Sequence, residues 1–451
     1  MIKFLFIYLP LLLFNINTKY VYSKSSDSYL CPPLLTIIKI NPLSKNKKET
    51  PTIRYEDFVY AKNIKTVQLR ASEFELSQPI INLNSEEKLK FSFDDLDADV
   101  KDYSYTFIHC DADWQPSKLM PMEYVDGFAD APISNYNYSF NTLQHYTHYS
   151  FIFPTDAGKI TKSGNYILKI YSDNDPDKII ITQRFMVYDN KVTIESQVKK
   201  SSIVEDRDYK QEIFFTIDHA DYQIPNPYND LKIVITQNNR WDNAKTGLKP
   251  TYVKGDQLVY DNERENVFDG GNEFRNFDIK SIRYHSEFIN KIYTDSSGIN
   301  VILLPAEKRA YKRYFTQPDI NGDFLIKIQE GNNSEIEADY CHVFFFLPYD
   351  GVLTNGGLYV LGAYNGWDFN ENNLMQYNNK RLGYECSLYL KQGYYNYQFA
   401  YLENGKKSAD LTLIEGSHSE TENEYTIYVY HRAQGVFYDQ LIGIKRLNSV
   451  K

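Results

Sequence analysis

The sequence predicts an all-β protein made of tandem immunoglobulin-like β-sandwiches. Short runs alternate apolar and polar residues, as in "KLKFSFDDL", where Leu89, Phe91 and Phe93 fall on one face of a strand. The chain contains 40 Tyr and 27 Phe, and these rings pack well on the half-buried surface of a pleated sheet. Because no segment keeps a helical period over three turns, strand content should exceed helix content several-fold.

Gly, Pro and Asn-Asp punctuation divides the strands into three units. We expect an N-terminal β-sandwich at residues 61–190, a middle β-sandwich at 191–337 and a C-terminal immunoglobulin-like domain at 338–451. Within the middle unit, "DGG" (Asp269 to Gly271) predicts a turn, because glycine accepts a positive φ.

The first residues have the features of an export signal. Residues 1–23 read as a signal peptide, with the positive charge of Lys3 followed by an apolar run that is too short to span a bilayer comfortably. Residues 24–60 are polar and predict an irregular N-terminal extension. Cys31 invites a lipoprotein interpretation, but a bulky leucine precedes it where lipidation expects a small residue. No other stretch is long and apolar enough for a membrane helix, so the mature protein is expected to be soluble.

The string "HCDADW" contains the side chains best suited to metal binding or catalysis. Continued strand alternation would place His109, Asp111 and Asp113 on one face, where they could offer a nitrogen and two carboxylates to a metal. The favoured alternative is a strand end whose carboxylates cap loop N–H groups while Trp114 packs over the sandwich edge. Cys110 has the parity of a buried structural thiol rather than of a nucleophile.

Other candidate sites are weaker. His145 and His148 are three residues apart, so a strand would point them to opposite faces. Cys341 and Cys386 lie in strand-like runs and could form a disulfide, but the sequence does not give the required geometry.

The string "GLYVLGAYNGWDF" carries a tryptophan in a turn after a strand. This part of the chain resembles the early-set, immunoglobulin-like glycan-binding modules of starch-active enzymes. In those modules a tryptophan at the position of Trp367 stacks on a sugar ring, so the resemblance implies a possible glycan contact there. The alternative is a structural tryptophan that covers the end of the sandwich, since such folds are reused without their ligand.

Several function classes are disfavoured. The net charge of −10 disfavours nucleic acid, which requires a basic patch. The sequence has no Gly-rich phosphate loop, no Gly-x-Ser-x-Gly elbow and no Cys-x-x-Cys pair. We therefore predict no catalytic, cofactor-binding or metal-binding residues, and no enzyme.

Several longer strings together indicate a family. "TFIHCDADWQPSKLMPMEYVDGF", "YNYSFNTLQHYTHYSFIFP" and "GNYILKIYSDND" resemble the N-terminal domain of the plug proteins of the type IX secretion system of Bacteroidetes. "GGNEFRNFDIKSIRYH" resembles the middle region of that family, and "YVLGAYNGWDF" with "HRAQGVFYDQLIG" its C-terminal region. The resemblance covers roughly residues 61–445.

The resemblance implies a periplasmic, non-enzymatic protein, peripheral to the outer membrane. Its implied partner is the translocon barrel of the outer membrane, whose periplasmic opening it would seal when no cargo passes. We expect the contact on the first unit, because its aromatic segment from Trp114 to Phe140 is too long for a simple hairpin and long ordered loops usually carry function. The predicted interface residues are Trp114, Tyr124, Phe128, Tyr136 and Tyr138.

Overall fold

Strands dominate the computed structural model, which describes residues 52–449. The helices of the described chain are each four residues long: α1 Pro121–Tyr124, α2 Pro227–Asp230, α3 Ser334–Glu337 and α4 Thr412–Glu415. The sheets, which are mostly antiparallel, confirm the all-β class and the tandem β-sandwiches. The predicted signal peptide, Cys31 and most of the predicted extension lie outside the described residues.

The first sandwich is built from residues 58–188. Its strands are β1 Phe58–Val59, β2 Ile64–Ala71, β3 Ile80–Asn82, β4 Leu89–Asp95, β5 Tyr103–Cys110, β6 Val125–Gly127, β7 Asp130–Pro132, β8 Tyr136–Tyr138, β9 Thr147–Phe153, β10 Gly158–Ile160, β11 Gly164–Ser172 and β12 Ile179–Tyr188. One sheet has the order β1-β12-β11-β5-β7, with β3 also beside β12, and the other has the order β2-β4-β9-β8. Buried rings such as Phe91, Phe107 and Phe185 join both sheets in one core, because alternate residues of each strand face inward.

The remaining strands form two further sandwiches. They are β13 Thr193–Lys200, β14 Lys210–Asp218, β15 Leu231–Gln237, β16 Arg240–Thr246, β17 Tyr252–Lys254, β18 Gln257–Tyr260, β19 Val267–Asp269, β20 Arg275–Asp278, β21 Ile289–Asp295, β22 Gly298–Leu303, β23 Phe324–Ile326, β24 Tyr340–Pro348, β25 Gly356–Leu361, β26 Gln376–Asn378, β27 Gly383–Lys391, β28 Gly393–Glu403, β29 Glu424–His431 and β30 Gln440–Asn448.

The last two strands return to the second sandwich. β29 pairs with β15 from Leu231↔His431 to Gln237↔Tyr425, in a sheet of order β16-β15-β29-β30. The opposite sheet is β13-β14-β18-β17, with β19 also beside β14. The second sandwich therefore consists of β13 to β19 together with β29 and β30, and its core draws on both segments.

The third sandwich is inserted between β19 and β29. Its sheets are β21-β22-β24-β27-β26 and β20-β28-β23, with β25 also paired to β28. This pairing differs from the contiguous units 191–337 and 338–451 that the strand spacing predicted. The reason is physical: alternation shows that a strand is half-buried, but it does not show which strand pairs with it.

Two adjacent crossings join the inserted sandwich to the second one. At "DGG", where the sequence predicted a turn, β19 ends at Asp269 and Gly271 adopts the positive φ expected of glycine, 63°. The Gly271 carbonyl accepts a hydrogen bond from the His418 N–H at 2.8 Å. A side chain on Gly270 would begin 2.0 Å from the carbonyl oxygen of His418. The outgoing and returning chains therefore touch where the third sandwich begins and ends.

Candidate functional site

The string "HCDADW" ends β5 and turns away from the core of the first sandwich. His109 is buried, with Nδ1 2.9 Å from the Ser117 hydroxyl and Nε2 3.2 Å from the carbonyl oxygen of Ser163. Burial lowers the pKa of His109 to about 4, so the ring is neutral at physiological pH. Both ring nitrogens are thus engaged within the sandwich.

The acidic side chains of the string contact other groups than His109. The carboxylate of Asp111 lies 2.7 Å from the Arg432 guanidinium and accepts the backbone N–H of Asp439 at 3.0 Å. Asp113 is exposed and caps the N–H of Gln115. The string therefore fastens the first sandwich to the loop between β29 and β30, through partners more than three hundred residues away in the sequence.

Cys110 is a buried thiol, and burial raises its pKa to about 12. Such a thiol has little thiolate at neutral pH and is a poor nucleophile. Cys341 and Cys386 form no disulfide within residues 52–449. They lie on paired strands, but Cys341 pairs with Leu390 and Cys386 with Phe345. The two thiols are thus four residues apart along the sheet, which is too far for a disulfide.

Trp114 closes the string and lies between the first two sandwiches. It is only 4% exposed, in contrast to the partner contact that the sequence predicted for it. The Arg184 guanidinium lies 4.4 Å from the centre of the Trp114 ring, and Trp241 of the second sandwich packs edge-on at 5.1 Å. Trp241 in turn stacks on Tyr428 at 5.5 Å. We call this contact between the first and second sandwiches the aromatic interface.

A second contact joins the first sandwich to the third one and is ionic. Asp94 of β4 is fully buried, and its carboxylate accepts hydrogen bonds from Lys391 at 2.5 Å and from the Tyr340 hydroxyl at 2.7 Å. His148 Nδ1 lies 2.6 Å from the other carboxylate oxygen. We call these four residues the ionic interface.

The ionic interface favours the charged form of its acid. Burial alone would raise the pKa of Asp94, but the Lys391 ammonium and His148 outweigh it and hold that pKa below its ordinary value. The ammonium of Lys391 also donates to the carbonyl oxygen of Glu335 at 2.6 Å and lies 4.1 Å from the centre of the Tyr146 ring. Sequence reasoning missed this cluster, although "KLKFSFDDL" contains its buried acid.

The predicted interface residues of the first sandwich separate into two groups. Tyr124 is only 3% exposed and donates its hydroxyl hydrogen to the carbonyl oxygen of Phe107 at 2.9 Å. Like Trp114, it is therefore part of the interior, and its prediction as a partner contact is corrected. Phe128 is 75% exposed and Tyr138 is 56% exposed, and Tyr136 is exposed as well. These three side chains are available to a partner.

Further apolar side chains near them are exposed. The sequence reasoning did not single out Met120, Met122, Phe140 and Leu143, all of which face solvent. The available signal was their position in the long segment between β5 and β9, which contains only very short elements. We call residues 120–143 the exposed apolar segment; Tyr136 and Tyr138 lie in β8, the edge strand of its sheet.

Trp367 lies in the turn after β25 and is half-buried rather than open. Arg240 of the second sandwich lies 5.6 Å from the ring centre, and Phe274 packs edge-on at 5.9 Å. A side chain on Gly322 would begin 2.3 Å from the indole. These contacts give Trp367 a packing role between sandwiches and do not favour the glycan-stacking alternative.

One group of three carboxylates in the described chain has oxygens within 4.8 Å of one another: Asp95, Asp97 and Asp99. The Lys101 ammonium lies 2.8 Å from Asp95 and 3.5 Å from Asp99, and also contacts Asp97. It occupies the position that a cation would take, so the group reads as a salt-bridge cluster.

A cavity of about 330 Å³ lies between the second and third sandwiches. Most of its polar lining is engaged: Asp242 pairs with Arg240 at 2.6 Å, and Asp410 caps the start of α4 through the N–H of Thr412 at 2.7 Å. Burial raises the pKa of Asp269, which also lines the cavity. In residues 52–449, no helix has the length and apolar character needed to cross a membrane.

Comparisons with known proteins identify the family. Residues 64–189 match the family described as the type 9 secretion system plug protein 1st domain. The chain is similar to a hypothetical protein from Parabacteroides merdae of known crystal structure, with 34% sequence identity and a TM-score of 0.85. The match covers 88% of this chain and all of that one. No curated protein matches the sequence. The family match supports a component of the type IX secretion machinery, and the chain belongs to the plug proteins of the type IX secretion system.

Proposed function

We propose that this protein docks on the periplasmic opening of the outer-membrane translocon barrel of the type IX secretion system and seals it. In this role it is an exported, periplasmic, non-enzymatic protein, peripheral to the outer membrane. Membership in the plug family is the observation that carries the proposal. The side chains best suited to metal binding or catalysis belong to His109, Cys110 and Asp111. His109 and Asp111 have hydrogen-bond or ion-pair partners within the molecule, and Cys110 is buried, which supports a role without catalysis.

The packing between sandwiches supports a sealing role. A body that blocks a wide pore must resist deformation, and the described chain falls within one compact unit. The aromatic and ionic interfaces both bury their central side chains, and buried interfaces of this kind restrict the relative motion of domains. The first sandwich is fixed on two sides and can present a defined surface.

The exposed apolar segment is the best candidate for the docking surface. Phe128, Tyr136, Tyr138 and Phe140 supply aromatic area that the molecule itself leaves uncovered, and such residues dominate the centres of protein interfaces. A seal around a pore should bury more than about 1,000 Å² in total. β8 adds a free sheet edge beside these rings.

Deletion of the gene and affinity purification test the proposal together. The deletion should increase the uptake of large antibiotics or dyes across the outer membrane while secretion largely persists. Tagged protein should copurify with the barrel from solubilised outer membrane. Unchanged permeability together with the absence of the barrel from the purified material would contradict the proposal.

Matched variants locate the surface. Phe128→Ser/Tyr138→Ser should lose the barrel, whereas Tyr252→Ser/Phe437→Ser, which removes two exposed rings of the second sandwich, should retain it. Exposed substitutions of this kind usually change stability by less than about 0.5 kcal/mol, so both variants should fold. If the control variant alone loses the barrel, the contact lies on the second sandwich instead.

A further inference from the structure

The segment between β22 and β23 is long and irregular yet held in place. Residues 304–323 contain neither strand nor helix. The backbone N–H of Arg309 donates to the carbonyl oxygen of Ile414 at 2.7 Å, and its guanidinium pairs with the buried carboxylate of Glu415 at 2.7 Å. Loops of this length inside compact domains are uncommon and usually functional. We call residues 304–318 the basic loop.

The basic loop displays aromatic rings that its own anchors do not use. Tyr311 is 76% exposed and Phe315 is 78% exposed. Between them, Tyr314 turns inward and donates its hydroxyl hydrogen to Glu273. Since the loop is fixed by Arg309 and Tyr314, burial of the two exposed rings is not what orders it. Their apolar area is thus available to something outside the molecule.

The charge of the loop is opposite to that of the chain. The protein has a net charge of −10, but the loop carries Lys308, Arg309, Lys312 and Arg313 against a single acid, Glu307. Lys312 pairs with Glu307, and Arg309 is used internally. The side chain of Arg313 forms no ion pair or hydrogen bond with another residue in the described chain. The free cation and its neighbours therefore fit an anionic partner.

The small area of the patch favours a lipid surface over a protein. Two aromatic side chains offer at most about 500 Å², whereas a specific protein interface needs about 800 Å² on each partner. A bilayer has no such requirement, because a loop tip can place rings at the boundary between headgroups and acyl chains while cations meet the anionic headgroups.

We propose that the basic loop binds the surface of an anionic phospholipid membrane, with Tyr311 and Phe315 at the headgroup boundary and Arg313 beside the lipid phosphates. The inference rests on the proposed function for the location of the protein beside a membrane. The loop belongs to the third sandwich, whereas the proposed barrel contact belongs to the first. Contact with the membrane would add a second, weak attachment to the docked body.

Flotation of the full-length mature protein with vesicles tests the inference without any barrel. Vesicles of phosphatidylethanolamine and phosphatidylglycerol should bind the protein, and phosphatidylcholine vesicles should bind it at least about fivefold more weakly, the effect of removing the attraction for about one cation. Binding should weaken as salt is added, because salt screens exposed charges.

Three variants sharpen the test. Tyr311→Ser/Phe315→Ser should reduce binding about tenfold or more, the effect of withholding two rings from an apolar environment. Arg313→Gln should reduce binding about fivefold. Tyr252→Ser/Phe437→Ser, with two exposed rings on the second sandwich, is the matched control and should bind like the unchanged protein.

The outcomes separate this inference from the proposed function. Equal binding to both vesicle types, or a loop variant that binds like the control, overturns the membrane contact. If the loop variant keeps vesicle binding but no longer copurifies with the barrel, the basic loop is a protein contact and the lipid proposal fails. Loop-dependent vesicle binding without any copurifying barrel supports the membrane contact and counts against docking on the barrel.

Discussion

The first sandwich is held by two interfaces that solve the same problem with different chemistry. The aromatic interface uses the rings of Trp114, Trp241 and Tyr428, with ion pairs at its margin. The ionic interface puts the charges of Asp94 and Lys391 at its centre. Burial itself stabilises the rings. Buried charges lose their hydration, and their mutual attraction offsets that cost only when every partner is present.

The comparison shows how each interface should fail. The aromatic interface can lose a partner and keep part of its buried area, so its losses should be graded. The ionic interface should fail abruptly, since removal of one charge leaves the other buried and unpaired. It should also tolerate fewer substitutions, because the carboxylate of Asp94 meets Lys391, Tyr340 and His148 at once.

The largest expected effect is at Lys391. Lys391→Met removes the ammonium and leaves the Asp94 carboxylate buried, so we expect a loss of roughly 3 to 5 kcal/mol in the free energy of unfolding. Urea denaturation measures it. Lys391→Met/Asp94→Asn should recover much of the loss, while Lys178→Met, which breaks an exposed pair with Asp173, should cost less than about 1 kcal/mol. A loss at Lys391 as small as that of the control would show that the interface does not depend on its charges.

Trp114 should give the largest effect in the aromatic interface. Trp114→Ala empties a buried ring and should cost about 3 kcal/mol, the lower end of the range for such truncations. The lower end applies because the buried indole N–H has no acceptor among residues 52–449, so its removal relieves a desolvation cost. Urea denaturation and hydrogen exchange in β16 measure the loss and the opening of the interface. Phe437→Ala, which removes an exposed ring, is the control; equal effects of the two changes would contradict the packing role of Trp114.

Alternation in the sequence predicted the strands themselves better than it predicted which parts of the molecule cover them. "KLKFSFDDL" contains β4, with Leu89, Phe91 and Phe93 in the core as predicted. However, Asp94 and Asp95, at the end of the same strand, are fully buried too. A pattern of one strand shows which side chains alternate, but it does not show that another sandwich covers the outer face.

The candidate site was predictable to a similar depth. The structural interpretation of "HCDADW" agrees with the neutral, engaged His109 and with Trp114 at the sandwich edge. Arg432 and Asp439, the partners of Asp111, lie in the string "HRAQGVFYDQLIG". No local sequence pattern links two strings so far apart. Exposure was equally hidden, because an aromatic residue in a segment of very short elements can face either way, as Tyr124 of α1 and Tyr138 of β8 show.

Acid should weaken the first sandwich through His109. The folded-state pKa of His109, about 4, lies below the ordinary value of 6.5, so the unfolded chain binds the proton more readily. The contribution of the neutral ring is complete above pH 6.5 and is lost as the pH falls toward 4, by about 3 kcal/mol in all. Stability curves of the unchanged protein and His109→Gln, measured by urea at several pH values, should differ in slope over this window. Parallel curves would mean that the pKa of His109 is the same in the folded and unfolded protein.

The smallest effect is expected at the margin of the aromatic interface. Asp111→Asn removes the charge that meets Arg432 at 2.7 Å but keeps an oxygen to accept the N–H of Asp439. Because the Arg432 side chain remains 37% exposed, water screens the pair, and we expect a loss of about 1 kcal/mol or less. The loss should shrink further as salt is added, whereas the loss caused by Lys391→Met should hardly change, since salt screens buried charges poorly. Urea denaturation of both variants at low and high salt tests the contrast. A salt-independent loss at Asp111 above about 2 kcal/mol would place a buried charge pair in the aromatic interface and remove the distinction between the two contacts.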